Sequence, residues 1–151
     1  MGKQTNNTPG TAGITVTRKL GTTIAVITGG NGVDIINATT LWNNFADKTG
    51  VTVWKIIAGN GADTVHGSER NEIIWGDTDN NTNLSANGAD ILNGGGGNDA
   101  IHGGNGADII AGDDGADLLW GDRGGDTFKI KLVGDSESVS ALWSSSTGVL
   151  R

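Results

Sequence analysis

Residues 94–129 repeat with a period of nine, and a period of that length constrains the fold more than any local propensity. They read Gly94-Gly-Gly-Gly-Asn-Asp-Ala-Ile-His102, Gly103-Gly-Asn-Gly-Ala-Asp-Ile-Ile-Ala111, Gly112-Asp-Asp-Gly-Ala-Asp-Leu-Leu-Trp120 and Gly121-Asp-Arg-Gly-Gly-Asp-Thr-Phe-Lys129. Each unit has glycine at position 1, aspartate at position 6 and an apolar residue at position 8.

Earlier units follow the same scheme less strictly. Gly29 to Asn37 is an isolated copy, Ala58 to His66 a second, and Gly67 to Trp75 a degenerate one with Arg70 at position 4 and Glu72 at position 6. The unit from Gly76 to Asn93 is eighteen residues long, with nine extra residues that preserve the phase. Position 8 reads Ile36, Val65, Ile74, Leu92, Ile101, Ile110, Leu119, Phe128; position 6 reads Asp34, Asp63, Glu72, Asp90, Asp99, Asp108, Asp117, Asp126. One column is wholly apolar, the other wholly acidic.

Composition narrows the home for this repeat. There are 27 glycines, one proline and no cysteine in 151 residues, which defeats helices and excludes disulfides and thiolate metal sites. Acids outnumber bases 17 to 10, giving a net charge of -7, so nucleic acid is the wrong partner and a cation the right one. No apolar run is long enough to span a membrane. Around the repeat, residues 1–13 read as a disordered leader. Residues 14–57 read as short strands (Ile14 to Thr17, Thr23 to Thr28, Val51 to Ile57) with the isolated repeat and a capping helix within Thr39 to Thr49. Residues 58–129 form the repeat proper, and 130–151 a last strand (Ile130 to Val133) and an irregular tail.

A six-residue glycine-rich turn followed by a three-residue strand reverses the chain every nine residues, so two units make one coil. Stacked coils bring like residues about 4.8 Å apart. Position 8 then points inward and builds a thin core, while position 6 forms a carboxylate column along each edge. At about 5 Å and an effective dielectric of about 20, each adjacent like pair repels by roughly 3 kcal/mol. Several such pairs rival the about 5–15 kcal/mol that stabilises a domain. Divalent cations between coils would offset this, and an all-oxygen ligand set in a flexible turn selects calcium.

These units resemble the Gly-Gly-x-Gly-x-Asp-x-U-x motif, with U a large apolar residue, of the repeats-in-toxin (RTX) calcium-binding family. The resemblance is continuous over Gly94 to Lys129 and discontinuous from Gly29. It implies an all-β fold, a parallel β-roll (a right-handed β-helix-like solenoid), holding Ca2+ between turns. It also implies a type I-secreted bacterial protein that folds on meeting calcium outside the cell. Carried over by motif position, the metal residues are the carboxylates of Asp63, Asp90, Asp99, Asp108, Asp117 and Asp126. The co-ligands are the main-chain carbonyls of Gly94, Gly96, Gly103, Asn105, Gly112, Asp114 and Gly121. Asp99 with Asp117 and Asp108 with Asp126 are the expected best pairs, with Asp90 and Asp108 a third. Glu72 and Arg70 depart from the motif, and Asp34 stands apart from the array. The family often closes its roll with a segment of the type Asp-x-Ile-x-Asp-Phe, which does not occur before Arg151; the expectation is a piece of a larger secreted protein.

Two other signals stand out. Asp77, Asp79 and Asn81 alternate like the first ligands of an EF-hand loop, but the sixth position lacks glycine and Gly88 stands at the twelfth, where glutamate belongs. A solvated polar loop is the plainer reading, an extra metal site the sharper one. Trp75, His102 and Trp120 share position 9 on one sheet and form an outward stripe, read either as covered by a terminal segment or as a contact for polysaccharide or a partner. That second use gives an alternative function, a carbohydrate-binding accessory module of an alginate-epimerase-like enzyme or adhesin. No phosphate loop and no catalytic constellation is present, so the chain is not read as an enzyme.

Overall fold

In a computed structural model the described residues are 2–5, 14–18, 23–44, 49–78, 88–131, 143–145 and 148–150. Their strands are β1 (Gly2–Thr5), β2 (Thr15–Arg18), β3 (Ile24–Thr28), β4 (Ile35–Asn37), β5 (Val53–Ile57), β6 (Thr64–Ser68), β7 (Glu72–Trp75), β8 (Ile91–Gly96), β9 (Ala100–Asn105), β10 (Ile109–Asp114), β11 (Leu118–Arg123) and β12 (Thr127–Lys129). A hairpin of β13 (Trp143–Ser145) and β14 (Gly148–Leu150) follows, and one helix, α1 (Ala38–Asn44), interrupts the first coil.

From β3 to β12 successive strands alternate between two sheets, ordered β1-β2-β3-β5-β7-β9-β11 and β4-β6-β8-β10-β12. From β3 onward every neighbour is parallel. This is a parallel β-roll. The register carries position 8 across each sheet, Val16-Ile27-Ile56-Ile74-Ile101-Leu119 on one side and Ile36-Val65-Leu92-Ile110-Phe128 on the other. All are buried except Phe128, which packs against the same core from the last strand. Because that core is one residue deep per strand, Ile101→Ala removes contacts that no second layer replaces. A loss of about 2–5 kcal/mol is expected, read as a lower denaturation midpoint in calcium-loaded protein.

The nine extra residues leave the phase intact, since Val65 pairs Leu92 across them. The isolated copy at Gly29 is not isolated in space. β4 pairs β6, and Asn31 bridges Asn60, so it forms the first turn of the same stack. Residues 2–5, read as part of a disordered leader, form β1 antiparallel to β2. The final strand ends at Lys129 rather than continuing through Ile130 and Lys131, and Leu132 and Val133 lie outside the described residues. Within the tail read as irregular, β13 and β14 pair antiparallel.

The capping helix is shorter than the Thr39 to Thr49 expectation, and Phe45 lies outside the described residues. Asn37 starts α1 by accepting the Thr40 amide at 2.8 Å, an N-cap bond. Ala38 and Leu41 enter the core, Trp42 meets the buried Trp54 edge-on at 5.6 Å, and the Arg70 guanidinium lies 4.1 Å over Trp42. The helix occupies the stretch where the first coil would otherwise make its return turn. Arg70 stands at position 4, where later coils need glycine: a Cβ on Gly97 would meet the Arg70 main chain, whereas α1 lies in the stretch before Arg70's own turn.

Candidate metal centre

Position 6 falls at the entrance to each strand, so the acids line the two edges of the roll. One edge carries Asp34, Asp63, Asp90, Asp108 and Asp126; the other carries Glu72, Asp99 and Asp117. A single hydrogen-bond pattern joins them. The Asp34 amide donates to Asp63 Oδ1 (2.7 Å), Asp63 to Asp90 (2.8 Å), Asp90 to Asp108 (2.9 Å) and Asp108 to Asp126 (3.1 Å). On the other edge Glu72 donates to Asp99 (2.8 Å) and Asp99 to Asp117 (2.9 Å). Every pair expected from the eighteen-residue spacing is thus adjacent, and Asp34, set apart by the sequence, heads the longer ladder. The 20 residues between Asn37 and Ala58 hide this because they are not a multiple of nine.

The second carboxylate oxygen separates the head of each ladder from its body. Asp34 Oδ2 accepts the Gly30 amide, and Glu72 accepts both the amide and the hydroxyl of Ser68. The Oδ2 atoms of Asp63, Asp90, Asp99, Asp108 and Asp126 are buried without a hydrogen-bond partner. A buried polar atom left so is costly unless something else satisfies it.

Position 1 shows what these oxygens face. A Cβ on Gly103 would collide with Asp108 Oδ2 and come within 2.8 Å of the Gly121 carbonyl; one on Gly94 would meet Asp99 Oδ2 and the Gly112 carbonyl (3.0 Å); one on Gly76 would meet Asp90 Oδ2 and the Gly103 carbonyl. Glycine therefore keeps open a cradle lined by one carboxylate oxygen and by a carbonyl of the next coil. Gly96, Asn105 and Asp114 sit at the ends of β8, β9 and β10, where strand gives way to turn. Among the described residues no three His, Asp or Glu side chains converge as a metal group, so carbonyls must complete any coordination shell. Calcium, with its six to eight oxygen ligands and tolerance of irregular geometry, fits this donor set.

The electrostatics agree. Burial pushes Asp99 up to about 8 from 3.8, Asp90 to about 7, and Asp63 and Asp108 to about 6, with neighbouring carboxylates adding to the rise and the amide bonds opposing it. Asp117, Asp126 and Glu72 are raised for the same first reason. Mutual repulsion, the cost expected from the spacing, ranks below burial at each of these carboxylates.

Ala58 is the one position-1 residue that is not glycine, and its methyl belongs to the buried core. Asp77 is turned into the turn stack, onto Asn105, while Asp79 and Asn81 lie outside the described residues.

The Trp75, His102 and Trp120 stripe exists, and its rings are stacked. Trp75 and His102 centroids are 3.9 Å apart at 5°, His102 and Trp120 4.2 Å apart at 1°. Each ring presents a face to its neighbour instead of to solvent. Asp122 Oδ2 lies 3.1 Å from His102 Nδ1, and Asp113 accepts from the Asn93 side chain. Both aspartates have positive φ, 62° and 67°, at position 2, where earlier turns use Gly95 and Gly104. Sequence reading did not single them out; their outward bonds to position 9 of the preceding coil show that they brace the stack rather than serve the cradle.

A parallel roll whose edges carry stacked carboxylates and open, oxygen-lined cradles belongs to the class of calcium-binding β-rolls. The family comparison agrees: residues 55–83, 84–119 and 94–128 match the RTX calcium-binding nonapeptide repeat (4 copies). Over that stretch the chain belongs to the RTX family. Neither the curated proteins nor the solved structures compared with it give a match. The structure extends the roll one coil beyond the matched stretch, to Gly29. Among the described residues no helix is long and apolar enough to cross a membrane.

Proposed function

We propose that the chain is a calcium-dependent folding module of an exported bacterial protein, ordered by the ion after type I secretion and supporting a larger secreted protein. The row of buried, unpartnered Oδ2 atoms carries this reading. A fold that leaves such atoms in its interior is incomplete by itself and becomes complete where calcium is plentiful. Extracellular calcium modules work at about 10⁻⁴–10⁻³ M, which the cytosol does not supply. The role is one of binding and folding, with no catalytic part.

The accessory reading, a polysaccharide contact on the Trp75, His102 and Trp120 stripe, draws less support. A sugar ring packs on an open aromatic face, and the faces between these three rings are already used. The test of the favoured reading is circular dichroism with hydrodynamic size, in chelator and in millimolar calcium. An expanded, weakly structured chain that compacts on adding calcium is expected; equal structure in both conditions would sink it.

A further inference from the structure

Asp77 occupies position 2 of the interrupted unit, two residues after the end of β7. In later coils the strand continues to position 3 and pairs main chain to main chain, as Asp122 does with Gly104 and Arg123 with Asn105. Between β7 and β9 that pairing stops at Trp75 and His102. The Asp77 side chain takes over: its Oδ2 accepts the Asn105 amide at 2.6 Å and the Asn105 side-chain nitrogen at 3.3 Å. An asparagine could do as much. What an asparagine would not do is place a carboxylate that is 1% exposed, with Oδ1 unpartnered, in the field of Asp63, Asp90 and Asp108.

The neighbouring Gly76 marks the cradle. Asp90 Oδ2, also unpartnered, and the Gly103 carbonyl crowd the point where its Cβ would be. We infer that Asp77 is an additional calcium ligand of the interrupted coil, its Oδ1 joining Asp90 Oδ2 and the Gly103 carbonyl. The repeat motif has no acid requirement at position 2, so this ligand belongs to the insertion. It rests on the calcium reading above. The ligand set also explains how a turn lengthened by nine residues keeps its place in the ladder.

Native mass spectrometry across a calcium titration tests it on the whole chain. Asp77→Asn keeps an oxygen for the Asn105 amide and removes the charge. One calcium ion fewer is expected, or one binding step weakened by roughly tenfold or more, while the metal-free variant is at least as ordered as the parent by circular dichroism. Asp113→Asn makes the same change of charge on an outward residue and should leave the count unchanged. An Asp77→Asn chain with the parental count and affinities overturns the inference, as does one destabilised equally with and without calcium, or an Asp113→Asn chain that loses an ion too. A parent that binds no calcium at all would instead remove the reading beneath it.

Discussion

Stripped of calcium above about pH 8, the chain is expected to lose protection from hydrogen exchange in β8 to β12 and to regain part of it on acidification without any metal. Asp63, Asp90, Asp99 and Asp108 are held at about 6 to 8 in the fold against 3.8 when free. The metal-free fold therefore binds more protons than the unfolded chain. Its stability is fullest below about 4 and is lost as pH rises through about 6 to 8. Burial is the first cause of the rise at all four, so the cost falls on the ionised fold. With calcium the order reverses, because protons compete for the same oxygens, and acid should release the ion. The strands nearest α1 should hold out longest in chelator, since Asp34 and Glu72 satisfy their second oxygens within their own turns. Uniform loss along the chain, or loss that deepens with acid, would contradict this account.

Gly103→Ala is expected to abolish one calcium site without altering a ligand side chain. The new methyl would stand against Asp108 Oδ2 and the Gly121 carbonyl, in the space the cradle keeps open. Gly103 does not have the positive φ that would strain an alanine, so its backbone is not the obstacle. A calcium midpoint raised by roughly tenfold or more is expected, seen by calorimetric titration. At Gly125, where an added Cβ meets nothing, the same substitution should leave the midpoint where it was. A Gly103→Ala chain with parental calcium affinity would show that the cradle is not where the ion binds.

The sequence displayed the period, and with it the inward column at position 8 and the acid column at position 6, because both are rules about spacing. It did not display which oxygens are satisfied. Whether Glu72 turns back onto Ser68, or Asp77 reaches Asn105 in another coil, depends on three-dimensional neighbours that are 4 and 28 positions away with no common period. Asp34 was hidden for a related reason, since α1 breaks the count between two units that lie side by side. The stripe was legible as a row of rings at position 9, but not as a stack, because ring orientation is set by packing between coils and by Asp122 beyond them.

Both sheets run in chain order from one end of the roll to the other. A pull on the two ends would therefore meet the coils one after another instead of all at once. A coil of eighteen residues that gave way would lengthen the chain by roughly 60 Å, the first and the interrupted coils by more, and the ions between coils would act as rivets that fail singly. A module so built yields to traction in separate steps and, once slack, can wind back from whichever coils remain.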